Sequence, residues 1–257
     1  MKRIFIIGLL LVSFIACETT QNTTTESSVP SSDIMEQVYN YKIKMAVSYI
    51  ESGDFKKALL ELYRAQEAKE TPEVYNLMGV AYLGLGEMEK AKEALDTALK
   101  MDPNFSEAWV NLSAYYLAKG MWKEAIKACN KALENKFYSR PEVAFTNLAE
   151  AYFMLGDYDK AIDYLKKAVK YNVYYAPAYE KIIGYFLAKG EVIMAKGYLD
   201  DAKAVGLKTP GLIFFEGIFA LRDGDVAKAK KLFQSILVNY PLSRWADKAK
   251  EYLDAMR

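Results

Sequence analysis

The chemically reactive side chains of this chain are few, because its 257 residues include two cysteines and no histidine. Cys17 directly follows a run of apolar residues, whereas Cys129 lies near the middle of the chain. Without an imidazole base, the chain lacks the Ser–His and Cys–His pairs that activate a nucleophile, and it lacks an HExxH zinc site. We therefore predict that the protein is not an enzyme and has no catalytic residue.

The segment before Cys17 has the layout of a secretory signal peptide. Lys2 and Arg3 precede a run from Ile4 to Ala16 that is apolar except for one glycine and one serine. As a helix, this run would rise about 20 Å, which is short of a hydrocarbon core of about 30 Å. A basic start, a short apolar run and a small residue at its end are typical of a signal peptide. We predict a signal peptide over residues 1–16.

The sequence FIAC, which ends at Cys17, resembles the lipobox of bacterial lipoproteins. In that family, signal peptidase cuts before the cysteine, which then carries diacylglycerol. The resemblance implies a lipid anchor at Cys17 and a position on the periplasmic side of the bacterial envelope. Because Phe14 is bulkier than the leucine usual at its position, an ordinary signal peptide with an incidental cysteine stays an alternative. We expect no cofactor other than the covalent acyl anchor.

Residues 17–33 are mainly threonine, serine and other polar residues, with Val29 as their one large apolar side chain. Such a segment buries too little apolar surface to offset the entropy of ordering it, so we predict a flexible tether. Without Lys2 and Arg3, 32 basic side chains (34 − 2) stand against 33 acidic ones. A nucleic-acid partner is not expected, because such proteins usually carry a basic excess. No pattern points to a small-molecule substrate.

Two groups of like-charged residues have spacings that a binding site can use. Three aspartates in GDYDKAIDYL lack the glycine and closing glutamate of a calcium loop, so we expect them to favour a helix start through its dipole: Asp157, Asp159 and Asp163. Three lysines share one helix face, either as a solvated outer stripe or as a basic docking site: Lys123, Lys127 and Lys131. We predict no metal site.

A repeat of about 34 residues organises the chain from residue 39 onward. Its first mark is a series of glycines separated by 33, 34, 36, 34 and 34 residues: Gly53, Gly86, Gly120, Gly156, Gly190 and Gly224. An alanine lies five residues after each of these glycines. This self-similarity indicates a repeat architecture, in which each unit contacts only its neighbours.

Each unit reads as two helices joined at its glycine. In the second unit, the apolar segment VYNLMGVAYLGL leads to Gly86, which permits the left-handed backbone that ends a helix. Ala91 and Ala98 then lie on one face of the following helix, where small side chains let the paired helix approach closely. Pro103 and Pro241 end their second helices because proline lacks a backbone donor.

These residues resemble the tetratricopeptide repeat (TPR), with its pattern W-x2-L-G-x2-Y…A-x3-F…P. The second unit matches the pattern at Tyr75, Met78, Gly79, Tyr82, Ala91, Leu95 and Pro103. The resemblance implies an all-α, right-handed superhelix over residues 34–257. Its six helix-turn-helix repeats lie near 39–71, 72–105, 106–141, 142–175, 176–209 and 210–243, and a capping helix follows over 244–257. Cys129 falls in the slot of the repeat's aromatic residue, so we predict a core-filling thiol there.

A TPR superhelix usually holds a partner segment in the concave groove lined by its first helices. We predict that protein partners contact the first helices of units three to five, through Val110, Asn111, Thr146, Asn147, Glu150, Phe153 and Lys181. Asn147 and Lys181 match part of the carboxylate clamp of some TPR domains, but Val110 and Ala114 replace its other polar groups. A complete clamp is therefore not expected.

A second candidate surface is the tyrosine cluster in YNVYYAPAY. Tyrosine offers a large contact area at a low entropy cost, which suits an interface. Packing between units four and five is the alternative for the same side chains: Tyr171, Tyr174, Tyr175 and Tyr179.

The step of 36 residues between Gly120 and Gly156 lengthens the link between units three and four. With its lipid anchor, its six TPR units and the segment from Phe137 to Tyr152, the chain resembles the PilF/PilW/Tgl-type pilotins of type IV pili. Proteins of that family sit at the outer membrane and help the pilus secretin to assemble. The resemblance implies a non-catalytic scaffold with secretin subunits as partners. An adaptor for outer-membrane protein insertion or for cell-wall enzymes is the alternative.

Overall fold

The computed structural model describes residues 32–256, and this part of the chain consists of helices joined by short links. Within it there are thirteen helices and no strand. Their bounds are α1 (Ser32–Glu51), α2 (Phe55–Ala68), α3 (Pro72–Leu85), α4 (Met88–Met101), α5 (Ser106–Ala118), α6 (Trp122–Glu134), α7 (Pro141–Met154), α8 (Tyr158–Tyr171), α9 (Ala176–Ala188), α10 (Val192–Ala204), α11 (Pro210–Arg222), α12 (Val226–Asn239) and α13 (Arg244–Ala255).

The helices pack as six consecutive hairpins followed by one further helix. Each odd-numbered helix contacts the even-numbered helix of its own hairpin and the odd-numbered helix of the next one. A unit of this kind cannot bury its apolar face alone, so stacking of neighbours supplies the core. The predicted all-α superhelix of six helix pairs and a cap is confirmed.

The turn within each hairpin depends on a glycine. Gly86 caps α3 with φ 75° and ψ 10°, and its amide donates a hydrogen bond to the carbonyl of Leu83 at 3.1 Å. Side chains with a Cβ rarely adopt this left-handed conformation, and all six glycines of the repeat series have a positive φ. Gly79 is required for a different reason, because a Cβ there would lie 2.6 Å from Cγ of Leu95 in α4.

The N-terminal end of the described chain bears on the predicted tether and anchor. The first helix begins at Ser32, so it includes the last two residues of the polar segment 17–33. The sequence positions assigned to the signal peptide and to the lipid anchor at Cys17 lie outside the described residues. Among residues 32–256, no helix is both long enough and apolar enough to cross a bilayer.

The last helix, α13, covers the end of the sixth hairpin. Trp245 and Ala249 are buried, and the Trp245 ring lies 5.1 Å from the ring of Phe214 in α11. The Tyr252 ring contacts Phe233 of α12, with 5.4 Å between centroids. A terminal helix with a polar outer face keeps such a stack soluble, as predicted for a capping helix.

Candidate protein-binding face

An open groove with a volume of about 620 Å³ crosses the first helices of the first four units. Its floor is apolar, with side chains from α1, α3, α5, α7 and the link before α5: Val47, Ile50, Leu77, Val80, Phe105, Val110 and Val143. We call this surface the N-terminal groove. Two of the predicted residues, Val110 and Asn111, line it.

The charged groups of the N-terminal groove are mostly acidic. Three carboxylates, from Glu51, Glu73 and Glu107, line it together with one guanidinium, from Arg140. Burial raises the pKa of Tyr138 at the same wall, and the nearby Glu107 carboxylate adds to this shift. The groove therefore matches a segment that carries apolar side chains beside basic ones.

Asn111 joins α5 to α3, and Val110 is the buried residue beside it in α5. The side-chain amide of Asn111 donates to Oδ1 of Asn76 at 2.7 Å, which ties the two first helices together. Val110 is buried, and its carbonyl accepts a hydrogen bond from the Ser113 hydroxyl at 2.6 Å. The contact between Asn111 and Asn76 thus helps to fix the spacing of α3 and α5 in the groove.

Asn147 joins α7 to α5 in the same way, and its neighbour Thr146 forms a hydrogen bond within α7. The Asn147 amide donates to Oγ of the buried Ser113 at 2.8 Å and to the Val110 carbonyl at 3.4 Å. Thr146 is buried, and its hydroxyl donates to the carbonyl of Glu142 at 2.8 Å. The polar groups of these two predicted residues thus have partners within the protein, while the half-buried Asn147 keeps part of its surface exposed.

The other three predicted residues form one cluster between α7 and α9. The Glu150 carboxylate forms an ion pair with Lys181 and accepts a hydrogen bond from the Tyr185 hydroxyl at 2.8 Å. Burial acts to raise the pKa of Glu150, but Lys181 and Tyr185 outweigh it and lower that pKa. The Phe153 ring stacks on Tyr185, with 3.9 Å between centroids. Because the charges of Glu150 and Lys181 neutralise each other, the cluster offers a surface with aromatic rings beside a neutral ion pair.

Tyr185 was not identified from the sequence as a residue of this cluster, although the sequence contains a signal for it. It lies four residues after Lys181 on the same helix, so both side chains face the same neighbour, Glu150. Arg140 and Tyr138, which line the N-terminal groove, were also missed as site residues. They lie in the lengthened link between units three and four.

The tyrosine cluster divides between the two alternatives. Tyr179 is buried in α9 and Tyr175 is half-buried beside it, so both pack between units four and five. Tyr171 and Tyr174 instead leave about two thirds of their surface exposed, at 66% and 69%. Only these two are available to a partner.

Cys129 is fully buried in α6, and burial raises its pKa to about 12 despite a hydrogen bond with Ser113. A thiol in this state is a poor nucleophile, which confirms the core-filling role. The three lysines of α6 are exposed, and Lys131 pairs with Glu134 at 2.9 Å, as in a solvated stripe.

The three aspartates do not form an ion site. Asp157 caps α8 by accepting from the amide of Lys160 at 3.3 Å, and Asp163 pairs with Lys166. In the described part of the chain, no group of three or more histidine, cysteine, aspartate or glutamate side chains is placed to hold a metal.

A stack of helical hairpins with a groove along its first helices is typical of helical repeat proteins that bind other proteins. Family models described as tetratricopeptide repeat match residues 49–114, 105–171 and 211–243, which together are more than half of the chain. The chain belongs to the tetratricopeptide-repeat family. Proteins of this family are generally non-catalytic scaffolds that bind protein partners.

Similar proteins of known sequence come from distant organisms. The TPR repeat-containing protein MJ1428 of Methanocaldococcus jannaschii is 32% identical over 130 residues, which are 49% of this chain and 22% of that protein. BBSome complex member BBS4 of Bos taurus is 30% identical over 148 residues, 57% of this chain and 27% of that protein. The chain thus spans about a quarter of the length of these relatives.

Several solved structures share the fold over most of their length. Pseudomonas aeruginosa PilF has a TM-score of 0.64 at 17% identity, over 85% of this chain and 99% of that one. PilW, a widely conserved type IV pilus biogenesis factor, has a TM-score of 0.66 at 20% identity, over 82% and 98%. A TPR protein from Parabacteroides merdae has a TM-score of 0.66 at 19% identity, over 84% and 83%. At these identities the likeness shows the fold alone.

Proposed function

We propose that this protein is a lipid-anchored TPR scaffold of the bacterial envelope that binds pilus secretin subunits and assists their assembly in the outer membrane. The observation that carries the proposal is the extent of the structural likeness: PilF and PilW are covered over 99% and 98% of their chains, although TPR proteins differ widely in repeat number. The FIAC sequence at Cys17 supports an anchor on the periplasmic side.

The proposed mechanism is physical and involves no covalent step by this chain. A lipid at Cys17 would confine the helical domain to one membrane leaflet and so raise its effective concentration near other membrane components. The N-terminal groove would hold an apolar and basic segment of a secretin subunit, with the cluster of Glu150, Phe153 and Lys181 as a further contact. Oligomerisation of the secretin would then compete with this contact and release the scaffold.

Partner capture in the native host tests the proposal. The protein, tagged at its C-terminus, is crosslinked in intact cells, purified, and its adducts are identified by mass spectrometry. We expect secretin subunits among the adducts, and fewer of them for a Cys17→Ala variant expressed at the same level. Capture of outer-membrane insertion machinery or cell-wall enzymes, without secretin, would support the adaptor alternative and overturn the pilus role.

A further inference from the structure

Two neighbouring links expose aromatic side chains through the same local structure. In the link between α6 and α7, the Phe137 amide donates to Oδ1 of Asn135 at 3.0 Å. In the link between α8 and α9, the Tyr174 amide donates to Oδ1 of Asn172, also at 3.0 Å. The asparagine turn places the residue two positions later at the tip of the link. Phe137 is 95% exposed as a result, although it is a large apolar side chain.

The residue after each exposed tip anchors its link. Tyr138 and Tyr175 are half-buried, and burial raises the pKa of both hydroxyls. The two links are also close to each other, because the Asn172 side-chain amide in the second link donates to Oε1 of Glu142, two residues after Arg140 in the first link, at 3.2 Å. The exposed tips therefore project from a fixed backbone, with Tyr171 and Val173 beside them.

The side of the stack that carries the links between units differs in charge from the side that carries the turns within units. In units three to six, the links from a second helix to the next helix contain three basic side chains and no acidic one: Lys136, Arg140 and Lys208. The turns within the same units contain two basic and four acidic side chains: Lys119, Lys189, Asp157, Glu191, Asp223 and Asp225. Near the tips, Glu134 is paired with Lys131, and the buried Glu142 accepts a hydrogen bond from Asn172.

We propose that this surface, formed by Lys136, Phe137, Arg140, Tyr171, Val173 and Tyr174, lies against an anionic bilayer; we call it the aromatic edge. Aromatic side chains are favoured at the membrane–water interface, where their rings sit at headgroup level. Lysine and arginine near the surface are attracted to anionic lipids. Single side chains that project from anchored tips fit a deformable lipid surface better than the pocketed surface of a folded partner. The proposal rests on the proposed lipid anchor, which would bring the bilayer within reach.

Tryptophan placed at a tip reports its contact with lipid. The mature protein, purified from the envelope of its host, is reconstituted on vesicles of phosphatidylethanolamine with a minor share of phosphatidylglycerol. A Phe137→Trp variant is compared with the parent protein in vesicles with and without bromine-labelled lipid chains, which quench nearby indoles. The matched control is Ile193→Trp, because Ile193 is 87% exposed but follows a turn within the fifth hairpin, on the opposite side, where Lys189 pairs with Glu191.

We expect the brominated lipid to quench roughly half of the emission that Phe137→Trp adds to the parent signal, since an indole at the interface lies close to the acyl chains. The emission added by Ile193→Trp should stay unchanged. Equal quenching of the two variants would overturn the proposal, and so would an indole at 137 that the brominated lipid does not quench. Flotation of the same vesicles reports the anchor separately. A protein that floats without quenching at 137 contradicts the aromatic edge alone, whereas a protein that does not float contradicts the anchor as well.

Discussion

The indole Nε1 of Trp245 donates a hydrogen bond to Oε2 of Glu180 at 3.2 Å, across 65 residues of sequence. The same carboxylate accepts from the Thr209 hydroxyl at 2.6 Å and lies 3.7 Å from the Arg244 guanidinium. Thr209 is the N-cap of α11, so one side chain connects α9, α11 and α13. The cap is thus held by a polar contact to the fifth unit as well as by its apolar packing on the sixth.

Removal of this carboxylate should destabilise the C-terminal units. In Glu180→Ala, the Thr209 hydroxyl and the Trp245 indole lose their acceptor, and we expect the free energy of unfolding to fall by about 1–3 kcal/mol. Glu191→Ala is the control, because its partner Lys189 is at the surface and such changes stay within about 0.5 kcal/mol. Urea denaturation followed by circular dichroism measures both, and equal losses would contradict the role of Glu180.

A glycine in α11 makes room for Glu180. A Cβ on Gly211 would overlap the Glu180 carboxyl group, which is held in place by Thr209 and Trp245. We expect Gly211→Ala to lower the free energy of unfolding by about 1–3 kcal/mol, as is typical of overpacking.

Gly197, within α10, provides the matched control, since a Cβ there would meet no atom within 4 Å. Gly197→Ala should stabilise the protein by about 0.5–1 kcal/mol, because alanine loses less entropy in a helix. Thermal denaturation of the two variants gives opposite shifts if the packing is as described. Shifts of the same sign would contradict it.

The buried thiol of Cys129 predicts a loss of stability at high pH. Its pKa rises from 9.0 to about 12 in the folded protein, so the neutral thiol is favoured there. Above the ordinary pKa the unfolded chain releases a proton that the folded chain keeps, and the stability falls with pH until the folded pKa is reached.

Between about pH 9 and pH 12, the free energy of unfolding should therefore fall more steeply for the parent protein than for a Cys129→Ala variant. The variant is the reference because the tyrosines titrate in the same range in both proteins. Urea denaturation at a series of pH values checks this, and identical slopes would show that the thiol is not shielded.

A positive charge in the N-terminal groove should weaken partner binding. Leu77 lines the groove and is half-buried, so arginine at this position would fill the apolar floor and reduce the acidic excess of the walls. We expect Leu77→Arg to weaken capture of the partner roughly tenfold, the effect of losing one well-packed anchor of about 1.4 kcal/mol.

Leu60→Arg is the matched control, because Leu60 is exposed on α2 and does not line the groove. Quantitative capture from crosslinked cells compares the two variants, and melting temperatures show whether each is folded. If both variants capture as much partner as the parent protein, the groove is not the binding surface.

The sequence was sufficient to predict the fold because the repeat signals are local. Gly86 indicates the turn of its hairpin, and Ala91 indicates the close contact between the two helices of that hairpin. The burial of Cys129 was predicted for the same reason, from its place in the repeat pattern.

The details of the binding face depend on contacts between units, which the repeat pattern does not encode. The stack rotates Val110 and Thr146 inward and directs the Asn147 amide to Ser113 in the neighbouring unit. The contact between Glu180 and Trp245 joins the fifth unit to the cap, so no local pattern signals it. The partner-binding role of these residues remains a prediction.

The state of the pilus secretin in the host's outer membrane provides the decisive measurement. In a strain that lacks this protein, we expect detergent-resistant secretin multimers to be depleted. The parent chain should restore them, whereas the Cys17→Ala chain should not. Unchanged multimers in the deletion strain would contradict the proposed function.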